Sequence, residues 1–144
     1  MRLDDDECRA RARRERVARL ATTGADMRPH LVPVVFALSG QVVVTAVDQK
    51  PKTTTDLRRL RNIADNARVA LLWDRYDEDW TRLWWVRGDG VAEVVQTGER
   101  WEAAVASLRE RYTQYRGSPP RGPAVMITVH SWSGWSFAAP DEQG

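Results

Sequence analysis

The residues best suited to chemistry sit together in one loop. The segment Asp48–Thr54, DQKPKTT, carries Lys50 and Lys52 on either side of Pro51, followed by the hydroxyl of Thr53. A helix is predicted to follow. Two ammonium groups, hydroxyls and the free amides of a helix N-terminus are the chemistry of a phosphate site. Pro51 stiffens the loop and limits the entropy lost when both lysines engage one anion. Of the 22 basic residues these are the only two lysines, leaving 20 arginines. Such an arginine bias follows from a GC-rich genome, and two lysines in one loop are as readily read as chance.

A second group is aromatic. Trp80, Trp84, Trp85, Trp132 and Trp135 lie in or beside predicted strands late in the chain. Neighbours in a strand face opposite sides, so Trp84 and Trp85 cannot share one core. One is structural, and the other lies at a subunit interface or against a planar ligand; both settings favour aromatic anchors.

Standard catalytic signatures are missing: no P-loop, no GxGxxG, no HExxH. The carboxylates Asp77, Glu78 and Asp79 read as a solvated acidic turn. One cysteine, Cys8, with only His30 and His130 as imidazoles, argues against a metal site and against a disulfide framework. The arginines from Arg9 to Arg19 follow Asp4–Glu7 and read as a solvated helix face with acid–base pairs rather than a nucleic-acid surface. The net charge is only +2. No signal peptide and no run of about 20 apolar residues occur, so a cytoplasmic protein that binds neither membrane nor nucleic acid is expected. At 144 residues one domain is expected, over 1–139, with 140–144 a disordered tail.

The elements that must position the loop follow from periodicity. Asp4–Glu15 reads as a helix with acids in its first turn. Arg16–Thr22 reads as a strand, and Thr23–Asp26 as a turn. His30–Leu38, HLVPVVFAL, is one nearly continuous apolar strand, joined through Ser39-Gly40 to the strand Gln41–Val47. Pro33 cannot donate a ladder hydrogen bond, so its strand must lie at an edge or open there. After the lysine loop, a helix capped by Thr54 or Thr55 buries Leu57, Leu60 and Ala64. Strands Ala67–Asp74 and Leu83–Val95 follow, the latter with a bulge or corner at Gly88 and Gly90. Thr97 caps a helix whose buried face runs from Trp101 through Val105, Leu108 and Tyr112 to Tyr115. Val125–Val129 resumes the sheet, which extends through a kink at Gly134. Six to seven strands joined by hairpins, with interspersed helices, predict an α+β fold: an antiparallel barrel with peripheral helices.

The stretches RVARLATTGADMRPHLVPVVFAL and DQKPKTTTDLRRLRNIADNARVALLWDRYDEDWTRLWWVRGDGVAEV, with the closing SWSGW, span most of residues 16–136. In them the chain resembles the flavin/deazaflavin oxidoreductases of the split β-barrel, the superfamily that includes pyridoxamine phosphate oxidase. It is most similar to the actinobacterial F-420-dependent oxidoreductase subfamily. The resemblance implies a homodimer with two cofactor sites at the subunit interface. It implies that the strand His30–Phe36, with His30, Pro33 and Val34, lines the ring, and that Thr45 and Ala46 lie beside the ring and ribityl chain. Lys50, Lys52 and Thr53 match the phosphate loop. Trp84, Trp85 and Arg87 match a strand that reaches the partner subunit's site.

The expected function is hydride transfer between coenzyme F-420 and a small organic acceptor. An FMN reductase or oxidase of the same fold, or an F-420 carrier without turnover, are the competing readings. No side chain stands out as an obligatory proton donor.

Overall fold

Residues 1–47 and 54–138 are described in the computed structural model, 54–57 as backbone only. Lys50, Lys52, Thr53 and the tail from Pro140 lie outside the described residues, as do the side chains of Thr54, Thr55 and Leu57.

Asp4 caps the first helix, α1 (Asp5–Arg14), its carboxylate accepting from the Glu7 N–H at 2.8 Å. Such a cap contributes about 1 kcal/mol. Asp5, Asp6 and Glu7 complement the positive end of the helix dipole and Arg11, Arg13 and Arg14 the negative end. One face of α1 buries Cys8 and Ala12 against the sheet. This approach requires Gly134, where a Cβ would lie 2.7 Å from the Cys8 Sγ. Arg11 departs from the expected solvated face. It is buried, donates to Glu7 at 2.9 Å and lies over the Trp84 ring, 5.5 Å from its centroid.

The strands are β1 (Ala18–Thr23), β2 (Pro29–Val34), β3 (Ala37–Ser39), β4 (Val42–Ala46), β5 (Arg68–Arg75), β6 (Trp84–Val95) and β7 (Ala124–Ser136). They form one antiparallel sheet in the order β2-β1-β5-β6-β7-β4-β3. The apolar run expected as one strand is therefore two, broken at Val35 and Phe36. β2 and β3 occupy opposite edges of the sheet although only two residues separate them. Three Cα steps span at most about 11 Å, so the sheet must curl until its edges converge at this bend. The result is a split barrel.

Trp73, Phe36, Leu20, Leu71 and Ile127 fill its interior. Trp73 stacks on Trp132 with centroids 5.8 Å apart and meets Phe36 edge-on at 5.5 Å. The bulge expected near Gly88 and Gly90 is present, as a register shift between Asp89 and Gly90 that leaves His130 unopposed. β7 continues through Gly134 in register with β6, so the expected kink is not where the strand changes course.

Helix α2 (Thr54–Asp65) packs on β1 and β6. Among its described side chains Arg59, Asn62 and Ile63 are buried and Leu60 is partly buried, whereas Ala64 is exposed. The expected face thus departs at Ala64 and carries two polar side chains inward, one of them Asn62, which the Thr22 hydroxyl on β1 receives. Helix α3 (Glu99–Arg111) covers the outside of the barrel with Ala104, Leu108 and Trp101 over Val44, Ala46 and Ala124. Its cap is Gly98 at φ 94°, not Thr97. A glycine takes this left-handed turn without a Cβ clash. The helix ends one residue before Tyr112, which is extended, and Tyr115 lies in the separate α4 (Gln114–Gly117).

Candidate functional site

The site strand is β2, and Pro33 belongs there for the reason its chemistry demands. Among the described residues β2 pairs only with β1, Pro33 opposite Arg19, and its other edge carries no strand. Along it, Leu31 and Pro33 point outward and are exposed, whereas Val32 and Val34 pack against the core. His30 is half-buried on the inward side, opposite Thr22. Its Nε2 is buried and has no hydrogen-bond partner among the described residues. Burial, and then the guanidinium groups of Arg58 and Arg59, lower the His30 pKa. Both effects disfavour the imidazolium form.

Asn62 docks α2 onto this end of the barrel, donating from Nδ2 to the Thr22 Oγ1 at 3.1 Å. Gly24 leaves the space that Asn62 occupies. Thr45 and Ala46 end β4, opposite Val125 and Ala124. Thr45 shares the inward face with Val43, and Ala46 lies under α3. The chain then leaves the sheet at Val47, whose N–H donates to the Pro123 carbonyl at 3.0 Å, and returns as α2. The end of β4 and the start of α2 thus bracket the segment holding Lys50, Lys52 and Thr53.

Trp84 and Trp85 separate as alternation requires. Trp84 is in the core beneath Arg11. Trp85 faces outward, half-buried, opposite Trp135. Arg87 shares that outer face and pairs with Asp89 at 2.9 Å. The register runs Pro33, Arg19, Leu72, Arg87 across β2, β1, β5 and β6. Three strand spacings put Pro33 and Arg87 about 14 Å apart in one protomer. The structure therefore brings His30, Pro33 and Val34 together on one strand, and places Trp85 and Arg87 on another part of the outer surface.

Among the described residues no group of three metal-ligating side chains forms, and no helix is long and apolar enough to cross a membrane. Two polar contributors were not legible in the sequence. Asn62 and Thr22 are 40 residues apart and follow no motif. Tyr112 reads as one more apolar position on a helix, yet its hydroxyl lies 2.8 Å from the Phe36 carbonyl at the barrel's closing bend.

No curated protein matches the sequence. Several solved structures share the fold. The conserved hypothetical protein Rv2991 of Mycobacterium tuberculosis is 24% identical with a TM-score of 0.72, over 94% of this chain and 86% of that one. An FAD-binding protein of Mesorhizobium loti is 20% identical with a TM-score of 0.70, over 93% and 95%. An FAD-binding protein of Mycobacterium smegmatis is 19% identical with a TM-score of 0.63, over 94% and 98%. The model of the pyridoxamine 5′-phosphate oxidase family matches residues 4–136, and with that match over a curled antiparallel sheet the chain belongs to that family.

Proposed function

We propose that the protein is a cytoplasmic oxidoreductase that binds a phosphorylated flavin-type ring along the open edge of β2. The preferred cofactor is F-420, and the reaction is hydride transfer to a small organic acceptor. The carrying observation is the place of half-buried His30 on β2, an edge strand of the described sheet, with its buried Nε2 unpartnered among the described residues and with Arg58 and Arg59 of α2 near enough to lower its pKa. The donor set fits such a group. A free strand edge offers backbone donors and acceptors to a planar heterocycle. Lys50, Lys52, Thr53 and the amides of α2 are suited to a phosphate. Arg58 and Arg59, which after burial contribute to lowering the pKa of His30, supply positive charge suited to the further anionic tail of F-420. The preference for F-420 rests on the KPK, YDEDW and LWWVRG stretches. That two proteins of the same fold are FAD-binding favours FMN or a related flavin as the second reading.

When bound, the cofactor supplies the hydride. The strand edge orients the ring, and the lysine loop holds the phosphate. Burial and the nearby arginines favour a neutral His30, a hydrogen-bonding imidazole rather than a second positive charge. Among the described residues no acid–base pair forms around it, which leaves proton supply to solvent and keeps an F-420 carrier without turnover as the third reading.

The proposed assembly is a homodimer. Leu31, Leu72, Val91, Trp135 and Phe137 are exposed apolar residues on or beside the outer sheet face, with Tyr76 and Trp80 at its end. Monomers rarely expose contiguous apolar patches beyond about 300–600 Å². Because Pro33 and Arg87 are so far apart within a protomer, Trp85 and Arg87 would serve the site of the second copy.

Titration with F-420 and with FMN, on the protein and on Lys52→Ala, tests the cofactor reading. Loss of one charge-assisted hydrogen bond of about 1.5–3 kcal/mol weakens binding roughly 10- to 150-fold. Unchanged affinity for both cofactors would remove the phosphate assignment.

A further inference from the structure

The barrel closes at Val35 and Phe36, where the chain leaves one sheet edge for the other. Ladder partners end there, and a buried backbone group without a partner costs about 1–3 kcal/mol. Phe36 is fully buried, yet both its backbone groups are served by one atom. Its N–H donates to the Tyr112 Oη at 3.1 Å, and that hydroxyl lies 2.8 Å from the Phe36 carbonyl and 2.9 Å from the Arg16 carbonyl. A phenol has one proton, so it accepts from Phe36 and donates to one of the two carbonyls at a time.

The surroundings fix the phenol. Arg111 donates to the Glu15 carbonyl and lies 4.5 Å from the Phe36 ring centroid. Arg16 donates to the Arg111 carbonyl at 3.2 Å and lies over the Tyr112 ring at 6.0 Å. Three chain segments meet at this oxygen: the entry to β1, the exit from β2 and the end of α3. Among the described residues β1 is the only strand that pairs with β2. A single hydroxyl therefore ties the start of the supporting strand to the end of the site strand, two residues beyond Val34.

We propose that Tyr112 is a positioning residue for the cofactor site: its hydroxyl sets the placement of the open edge of β2 through the Phe36 bend. The effect on binding rests on the cofactor reading above; the effect on the strand does not. Tyr112→Phe keeps the ring and its packing and removes only the clasp. Val105→Ala, at a buried position of α3 with no hydrogen bond to the bend, serves as a destabilised comparison, with both variants assayed at temperatures giving equal distance from their Tm.

Two readouts are taken: affinity for FMN and F-420, and amide hydrogen exchange resolved along the backbone. Tyr112→Phe is expected to weaken cofactor binding by about five- to fiftyfold, with Val105→Ala within about twofold of the unaltered protein. Exchange at Val34 and Phe36 is expected to speed up about tenfold or more in Tyr112→Phe, while central amides of β6 and β7 do not. Unaltered affinity in Tyr112→Phe, or equal losses in both variants, would overturn the positioning role. If the unaltered protein binds neither FMN nor F-420, the cofactor reading fails on its own. Exchange at the bend then decides whether the clasp places β2, and unchanged exchange there refutes it.

Discussion

Trp135→Glu separates the proposed dimer from the proposed site. Trp135 lies opposite Trp85 in the β6–β7 ladder and meets Phe137 edge-on, with ring centroids 6.4 Å apart. It is 37% exposed in the protomer. A tryptophan carries about 200 Å² of buriable surface, so about 75 Å² remains to be covered by a second copy. At about 25 cal/mol per Å² this contributes about 2 kcal/mol. A two-fold interface uses the residue twice, giving about 4 kcal/mol, or roughly a thousandfold in Kd. Desolvating the new carboxylate adds to that. Sedimentation velocity from sub-micromolar to tens of micromolar protein measures the change. The unaltered chain should sediment as a dimer throughout and the variant as a folded monomer. A variant that stays dimeric at the lowest concentration places the interface elsewhere, and an unaltered chain that is monomeric refutes the assembly. Cofactor titration on the monomeric variant carries the second half. In the proposed dimer Trp85 and Arg87 reach the site strand of the second copy, so binding should weaken with dissociation. Full affinity in the monomer would show that the site is complete within one chain.

Two further outcomes follow from titratable groups. Burial holds the folded-state pKa of His30 below its unfolded value, so between those two values the unfolded chain binds more protons. His30 then contributes stability that is fully present above the unfolded pKa near 6.5 and is lost as pH falls towards the folded value. Thermal melts from pH 5 to 8 should show this slope flattened in His30→Leu; an unchanged slope removes His30 as its source. Cys8 is fully buried, and burial first, then Asp5 and Asp4, push its thiol up to about 11. Thiol reagents at pH 8 should therefore label it only at the rate of unfolding, and rapid labelling of the native protein would contradict the packing of α1 on Gly134.

How much of this was legible beforehand depended on whether a residue's constraint is local. Pro33 lacks an amide proton wherever it sits, and that alone required an edge position or a local opening of its strand. The bulge near Gly90 and the opposite faces of Trp84 and Trp85 are likewise consequences of backbone chemistry or of the two-residue repeat, whereas Asp4, read as part of the first helix, is its cap. The break between β2 and β3 was not visible. Val34, Val35 and Phe36 are all strand formers, and what divides them is a hydroxyl 76 residues away that takes over the hydrogen bonds a continuous strand would have used. The departure on α2 has the same origin. Ala64 suits burial better than Asn62 by hydropathy, but the Thr22 hydroxyl rewards the amide and no window along the chain contains both.

The candidate site divides along the same line, which says something about how it works. Its charged half, the lysine loop before a helix start, is contiguous in sequence and could be read as phosphate chemistry without any fold. Its ring-binding half is a shape: an edge that exists because β2 has one neighbour among the described residues, held in place by Tyr112 at one end and by the docking of α2 through Asn62 towards the other. A phosphate can be gripped by flexible side chains, whereas a planar ring meeting a strand edge demands backbone placed to within a fraction of an ångström. The buried polar contacts Asn62–Thr22 and Tyr112–Phe36 lie where that demand falls. An apolar pair could have packed either place, but only directional hydrogen bonds fix the register of an edge strand that, among the described residues, pairs on one side alone.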